Sequence, residues 1–338
     1  MDRQFPPEIV ELIVKASLDP VDRDVVSRNV YGRYSILKRY SLLNSTWREI
    51  CKPSLYKVVV LHSERAASEF VRVAAGQGGV IRGVEMLDIR CIGWIDKRPT
   101  TLLQCVPQLR SLILLGALFD AEDLTDSDRL DNLTLASCTV APPSPATRLA
   151  IRHLFVTSSA PDQAVEALLT PARLPRLQNL DLSPSRTVDI NAIVPQLTAM
   201  KLSNYTIARY IPNATSLRLL SVDSSEVINI LSVLAPLACL PPFLLTSAIY
   251  DSLRLVQALK YQVANPKTGA KTIFADCRLR GDPLHVAEVN RLIVELGSKG
   301  IVVERGIFSF SEAIRRMDAI LLAEKEAVER REWTGVKG

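Results

Sequence analysis

The stretch Val106–Leu114, VPQLRSLIL, decides how the chain is read, because two close variants follow it: LPRLQNLDL over 174–182 and VPQLTAMKL over 194–202. Each runs apolar, Pro, polar, Leu, two variable residues, Leu or Met, one variable residue, Leu. Relaxing the phrase to L-x-x-L-x-L with aliphatic exchange gives matches beginning at Val84, Leu109, Leu130, Ile151, Leu177, Leu197 and Leu217, with steps of 25, 21, 21, 26, 20 and 20 residues. A period of that size marks one supersecondary unit that cannot bury its apolar face alone and must stack on its neighbours. Within a match such as Leu133-Thr-Leu135, the leucines alternate and point to one face of a short strand.

The period and the phrase resemble the leucine-rich repeat. The match at Leu130 goes further: LDNLTLASCTV puts Cys138 where that pattern takes Asn or Cys, and Val140 as the next buried residue. The expected fold class is therefore α/β, a leucine-rich-repeat solenoid of parallel strands with returning helices. Helical returns are expected in RPTTLLQCV, in APDQAVEALL with Pro161 early in the helix, and in SEVINILSVL. In the recurring phrase the proline is expected to end each returning helix. Beyond Val222, LPPFLL and AKTIFA continue the pattern loosely. A helix follows Asp282 and Pro283 with Leu284, Val289, Leu292, Ile293 and Leu296 on one side; GIVVE from Gly300 reads as a last strand. A charged helix from about Ser311 to Glu332, with Ile314, Met317 and Leu321 on one face, suits a polar end cap.

The first 61 residues do not follow the repeat. FPPEIVELIVKAS places Pro6 and Pro7 at a helix start with Ile9, Leu12 and Ile13 in an apolar stripe. YSILKRYSLLNSTWREICKPSLYKVVVL gives a second amphipathic stretch through Leu37, Leu42, Leu43, Trp47 and Ile50. Residues 5–56 resemble an F-box: Phe5, Pro6, Glu8 and Ile9 match its opening, and Leu42, Leu43, Trp47, Arg48, Leu55 and Tyr56 its close. Asn44 stands where Cys or Ser is usual, and the span between the halves is longer, with the excess near Asp19 to Tyr34. The resemblance implies a small all-α domain (1–61), then the solenoid (62–310) and a C-terminal capping helix and tail (311–338). It also implies a non-catalytic substrate-recognition subunit of an SCF-type ubiquitin ligase. Phe5, Pro6, Pro7, Ile9, Val10, Ile13, Leu37, Leu42, Leu43 and Trp47 would then bind a Skp-family adaptor, and through it a cullin–RING ligase. The alternative is a leucine-rich scaffold whose terminal helices are only a cap.

A protein substrate is expected on the strand positions between the buried leucines. Ile113, Leu115 and Phe155 are apolar there, and with Asn132, Thr134 and His153 they would form a contact patch, unless the register is off or a loop covers it. Composition narrows the rest. The 41 basic and 36 acidic residues leave a net charge of +5, without the dense stripe that nucleic acid selects. The six cysteines lie far apart, with no C-x-x-C pair, so neither zinc nor a disulfide framework is expected. No signal-peptide pattern opens the chain, which points to cytoplasm or nucleus. The uncharged stretch 227–250 is long enough for a bilayer, but Pro236, Pro241 and Pro242 argue against a span. His62, His153 and His285 stand apart, the glycines at 76, 78 and 79 follow a helix instead of preceding one, and no catalytic constellation appears. No enzyme activity and no cofactor are expected.

Overall fold

The computed structural model describes residues 6–18, 26–76, 83–90, 100–125, 127–159, 161–183, 188–202, 210–223, 241–247, 252–264, 270–276, 283–306 and 308–335. The chain is α/β and forms two compact units, Met1–Leu177 with Thr187–Ile193, and Gln178–Arg186 with Val194–Gly338. The run of repeats is shared between them.

Unit 1 opens with three helices, α1 (Pro7–Ala16), α2 (Val26–Ser41) and α3 (Ser45–Lys57). Five strands follow in parallel register: β1 (Val58–Leu61), β2 (Met86–Arg90), β3 (Ser111–Leu115), β5 (Asn132–Ala136) and β7 (His153–Thr157). The pair β4 (Leu118–Phe119) and β6 (Thr139–Val140) makes a second small ladder. Strands β2, β3, β5 and β7 each begin two residues after a repeat start, as the phrase requires. Leu87, Ile89, Leu112, Leu114, Leu133, Leu135, Leu154 and Val156 are buried on one face, which is the core face. Unit 2 holds six more parallel strands: β8 (Asn179–Ser183), β9 (Ala199–Leu202), β10 (Leu219–Asp223), β11 (Phe243–Ser247), β12 (Thr272–Asp276) and β13 (Val302–Gly306).

The proline phrase has a different job from the one expected. The amide of Leu109 donates to the carbonyl of Val106, that of Leu177 to Leu174, and that of Leu197 to Val194, at 3.0, 3.2 and 3.1 Å. These are β-turns with Pro107, Pro175 and Pro195 at the second position, where a fixed φ is favourable. The prolines are exposed while the flanking Val106 and Leu109, Leu174 and Leu177, Val194 and Leu197 are buried. The phrase is thus a turn that pins two apolar side chains into the core, not a helix stop.

Repeat length sets what returns the chain. The steps of 25 and 26 residues contain short helices, α5 (Thr100–Gln104) and α6 (Asp162–Leu168), with Pro161 as the cap of α6 instead of lying inside it. Among the described residues, steps of 20 and 21 hold only single 3-10 turns, at Ala121–Leu124, Val194–Gln196 and Ile211–Asn213. Between β11, β12 and β13 the spacing rises to nearly 30 residues, and long helices α7 (Ser252–Ala264) and α8 (Pro283–Ser298) fit. The helix expected in SEVINILSVL lies outside the described residues. The remaining helices among the described residues are α4 (Glu64–Gly76), after β1, and α9 (Phe310–Gly335), after β13.

Cys138 ties successive repeats together. Its thiol donates to the carbonyl of Leu114 at 3.3 Å, and its amide donates to Ser159 Oγ at 3.1 Å. One period later, Ser159 repeats the act, its hydroxyl donating to the carbonyl of Leu135 at 3.2 Å. Burial pushes the Cys138 thiol pKa up, which keeps the donor proton in place. Gly116, Ser137 and Ser158 all take positive φ directly after their strands, at 66°, 51° and 50°. A left-handed residue there ends each strand and turns the chain toward the Cys138 level, at a cost of about 1–2 kcal/mol for the two serines individually.

No helix among the described residues is long and apolar enough to cross a membrane. Part of the uncharged stretch that raised the question is strand β11.

Candidate functional site

The three N-terminal helices close a core of their own. Val10 and Val14 of α1, Leu37 of α2, and Trp47 and Cys51 of α3 are buried together, with Ile13, Leu18, Tyr40, Ile50 and Leu55 packed around them. The Tyr40 and Trp47 rings lie 5.1 Å apart and tilted, and Tyr40 Oη shares a 3.0 Å hydrogen bond with Ser17 Oγ. Asn44 caps α3: its side chain accepts the Trp47 amide at 3.1 Å. The departure from the usual Cys or Ser at this position therefore carries a cap that Ser also supplies.

This core divides the ten expected adaptor residues. Val10, Leu37 and Trp47 face inward and hold the helices to one another, Trp47 at 8% exposure. Ile13 is half-buried against them. Pro6 and Pro7 are exposed, as are Ile9 (42%), Leu42 (71%) and Leu43 (60%); Phe5 lies outside the described residues. Leu12, which the resemblance did not single out, is 62% exposed and sits three residues from Ile9 on the same side of α1. Leu42 and Leu43 occupy the turn between α2 and α3. A closed three-helix core thus coexists with large aliphatic side chains left in water.

The six expected substrate residues do share one face of the unit 1 sheet, opposite the core face. Register places Ile113, Thr134 and Phe155 side by side across β3, β5 and β7, and Asn132 beside His153. They do not form an open apolar patch. Ile113 packs in a cluster with Val58, Val60, Met86 and Tyr34, and Tyr34 donates from Oη to the carbonyl of Val58 at 2.8 Å. Helix α2 therefore reaches the β1–β3 side of this face. Phe155 and Asn132 are buried, the latter with its amide nitrogen 3.3 Å from the carbonyl of Arg110. Ile113, Leu115, Thr134 and His153 are half-buried. Beside them Asp88, wholly buried, is held by both Nε and Nη2 of Arg90 at 2.7–3.0 Å.

In unit 2 the same face is filled by the chain itself. Ile273 and Ala275 point to the core face, where Leu255, Val256 and Leu259 of α7 and Val289, Leu292 and Leu296 of α8 cover them. Phe243, Leu245 and Phe274 alternate with those positions, yet they too are buried. The cover is α9, which contacts β10 and β11, and the residues just before it. Phe274 stacks on Phe243 at 6.1 Å and meets Phe308 at 5.4 Å, and Phe310, Ala313, Ile314 and Met317 are buried. The C-terminal helix expected as a polar end cap is a lid on the second face of the sheet. A signal for this was present in the sequence: FLL and IFA are uninterrupted apolar runs, the mark of a strand buried on both sides.

Among the described residues no group of three or more His, Cys, Asp or Glu side chains is placed to hold a metal ion. His62 is exposed, and His153 and His285 are half-buried on separate elements. Cys51, Cys105 and Cys138 are free thiols. A polar cleft lies at the start of β1, β2, β3 and β5, lined by Arg33, Lys57, Glu85, Arg110, Asp131 and Asn132 among others. Comparison of the sequence with protein-family models finds no match, and comparison with curated proteins finds none either.

Proposed function

We propose that the chain is an F-box protein with a leucine-rich-repeat domain, the substrate-recognition subunit of an SCF-type ubiquitin ligase in the cytoplasm or nucleus. The observation that carries this reading is the N-terminal segment. Its three helices already bury a core, and still expose Pro6, Pro7, Ile9, Leu12, Leu42 and Leu43. An isolated helical cap has no use for aliphatic side chains in water, whereas a Skp-family adaptor would cover them. Each large side chain buried in such a contact contributes about 1.5–3 kcal/mol. The repeat domain would hold a protein substrate, and the chain would act by proximity, with no bond chemistry and no cofactor of its own. The 20–26-residue spacing of the strands and the Cys138–Ser159 bridges support the leucine-rich-repeat part.

A second reading, a repeat scaffold with a helical cap and no ubiquitin role, is favoured by the Tyr34 contact, which fastens α2 to the sheet. Co-purification separates the two. The full chain and its Ile9→Asp/Leu43→Asp variant are each mixed with a purified Skp-family adaptor and passed over a sizing column. The receptor reading expects a stoichiometric complex with the parent chain only; the scaffold reading expects none with either.

A further inference from the structure

The last strand of unit 2 has an open edge. β13 pairs with β12 on one side, and among the described residues no strand lies on its other side. The amide of Val302 donates to the carbonyl of Lys271 at the start of β12. Backbone polar groups alternate in direction along a strand, so those of Val303 and Arg305 point away from β12, and none of the described residues bonds them. A solenoid closes such an end with a polar cap. Here α9, the helix expected in that role, lies instead against β10 and β11, and Val302 is left exposed.

The flank of α8 beside this edge carries no charge. Helix α8 covers β12 and β13 together, with Val289, Leu292 and Leu296 packed against Ile273, Ala275 and Ile301. Asn290 marks the side toward the edge, its Oδ1 accepting from Arg305 at 2.6 Å. At helical spacing Val286, Ala287, Ile293, Val294 and Gly297 share that side, and Val294 is 74% exposed. The charges are engaged elsewhere: Glu288 pairs with Lys260 of α7 and with Arg291, and Glu295 with Arg291 and Lys299. A strand edge with unbonded backbone groups, next to an uncharged helix flank, is a surface made for another strand and helix.

We propose that two copies of the chain join edge to edge through β13, antiparallel about a two-fold axis at Val303, with their α8 helices side by side. Charge selects that register. An axis at Glu304 or Arg305 sets like charges directly opposite each other, whereas an axis at Val303 sets Val303 on Val303, Val302 on Glu304 and Ile301 on Arg305. The Val303 residues then exchange amide-to-carbonyl bonds, and each Arg305 amide meets the other copy's Ile301 carbonyl. Spacing agrees. Strands lie about 4.8 Å apart, so two helices each seated over a β12–β13 pair come about 10 Å apart, the distance at which helices pack. Helix α8 runs against β13. Two strand residues back from Arg305 is about 7 Å, or about four to five helix residues on from Asn290, which brings Val294 to the axis. Head-to-tail growth has no matching edge, because on β1 the outward carbonyl of Val58 is taken by Tyr34 Oη. The contact uses no residue of α1–α3 and is independent of the proposed adaptor binding.

The test is sedimentation velocity on the purified full chain, without adaptor, from about 1 to about 200 µM, a range suited to a small interface. The expected result is a monomer–dimer equilibrium with a micromolar dissociation constant. Val294→Glu and Val294→Lys, made at a side chain already in water, should each weaken the dimer at least tenfold, because each sets like charges face to face at the axis. An equimolar mixture of the two variants should regain dimers, now as mixed pairs, an outcome that mere damage to the fold would not produce. The proposal is overturned if the parent stays monomeric across that range or grows beyond a dimer, if neither variant weakens the association, or if mixing the variants fails to restore it.

Discussion

The lid on unit 2 makes a prediction that can be worked from geometry. Phe274 is fully buried on β12, with Phe243 at 6.1 Å on one side and Phe308 at 5.4 Å on the other. Replacing Phe274 by Ala removes a complete side chain from a closed site, at a cost of about 3–5 kcal/mol. Phe308→Ala should cost somewhat less, because that ring keeps some contact with water. The informative quantity is their interaction. A tilted aromatic pair contributes about 0.5–1.5 kcal/mol beyond area burial, and the cavity left by one deletion already deprives the other ring of its partner. The double variant should therefore be less unstable than the two single costs added, by at least that amount. Urea unfolding followed by circular dichroism on the parent, both singles and the double provides the cycle. Costs that add within about 0.3–0.5 kcal/mol, as independent sites do, would refute the claim that the segment leading into α9 covers the second face of the sheet.

Other outcomes follow from single contacts. Asn44→Ala should cost about 1 kcal/mol through loss of the α3 cap, and Asn44→Ser close to nothing, measured as shifts in unfolding midpoint. Pro107→Ala and Pro195→Ala should each cost about 0.4–1 kcal/mol by loosening the unfolded chain, whereas Leu109→Ala or Leu197→Ala should cost about 2–5 kcal/mol, because the turn presents the proline to water and the leucine to the core. Asp88→Ala should cost about 3–5 kcal/mol, leaving Arg90 without its bidentate partner. Glu288 is held down to about 2 by hydrogen bonds from Arg291 and Lys260. A carboxylate whose folded pKa lies below its unfolded one stabilises above the unfolded value and loses that contribution as pH falls toward 2. Glu288→Gln should accordingly flatten part of the acid limb of a stability profile between about pH 5 and pH 2.

The strands were legible because their signal is local. Two alternating apolar residues at a fixed offset from the repeat start place β2, β3, β5, β7, β8, β9 and β10 within a residue, and the looser match from Ala270 keeps the same register, whereas the one from Leu240 is a residue early: it turns Phe243 and Leu245 to the core face, where the ladder from Leu220 to Ile273 puts Leu244. What returns each chain segment was less legible, because Pro-x-Leu fits both a helix stop and a β-turn. The deciding variable was length: among the described residues, the steps of 25 and 26 hold short helices and the steps of 20 hold single 3-10 turns. Cys138 stood out as a repeat residue, but Ser159, doing the same work 21 residues later, did not, since a serine in a loop is unremarkable by composition. The candidate surfaces were legible only as lists of apolar residues. Sequence spacing put Val10, Leu37 and Trp47 together with Ile9 and Leu43; only packing separates those that close the helical core from those left in water. Likewise, alternation put Ile113 and Phe155 on the non-core face, while the reach of Tyr34 from α2 lies 24 residues from its bonding partner and has no local signature.

The measurement that bears most directly on the proposed receptor role is a titration of the purified full chain with a purified Skp-family adaptor, followed by calorimetry. The account predicts a one-to-one complex whose affinity falls at least tenfold in Ile9→Asp and again in Leu43→Asp, since each change puts a charge where an apolar side chain would be covered. Leu43→Asp should unfold close to the parent's midpoint, since that side chain is 60% exposed, and Ile9→Asp, at 42% exposure, only slightly below it. A folded parent chain that shows no heat of binding, or variants that bind as tightly as the parent, would contradict it.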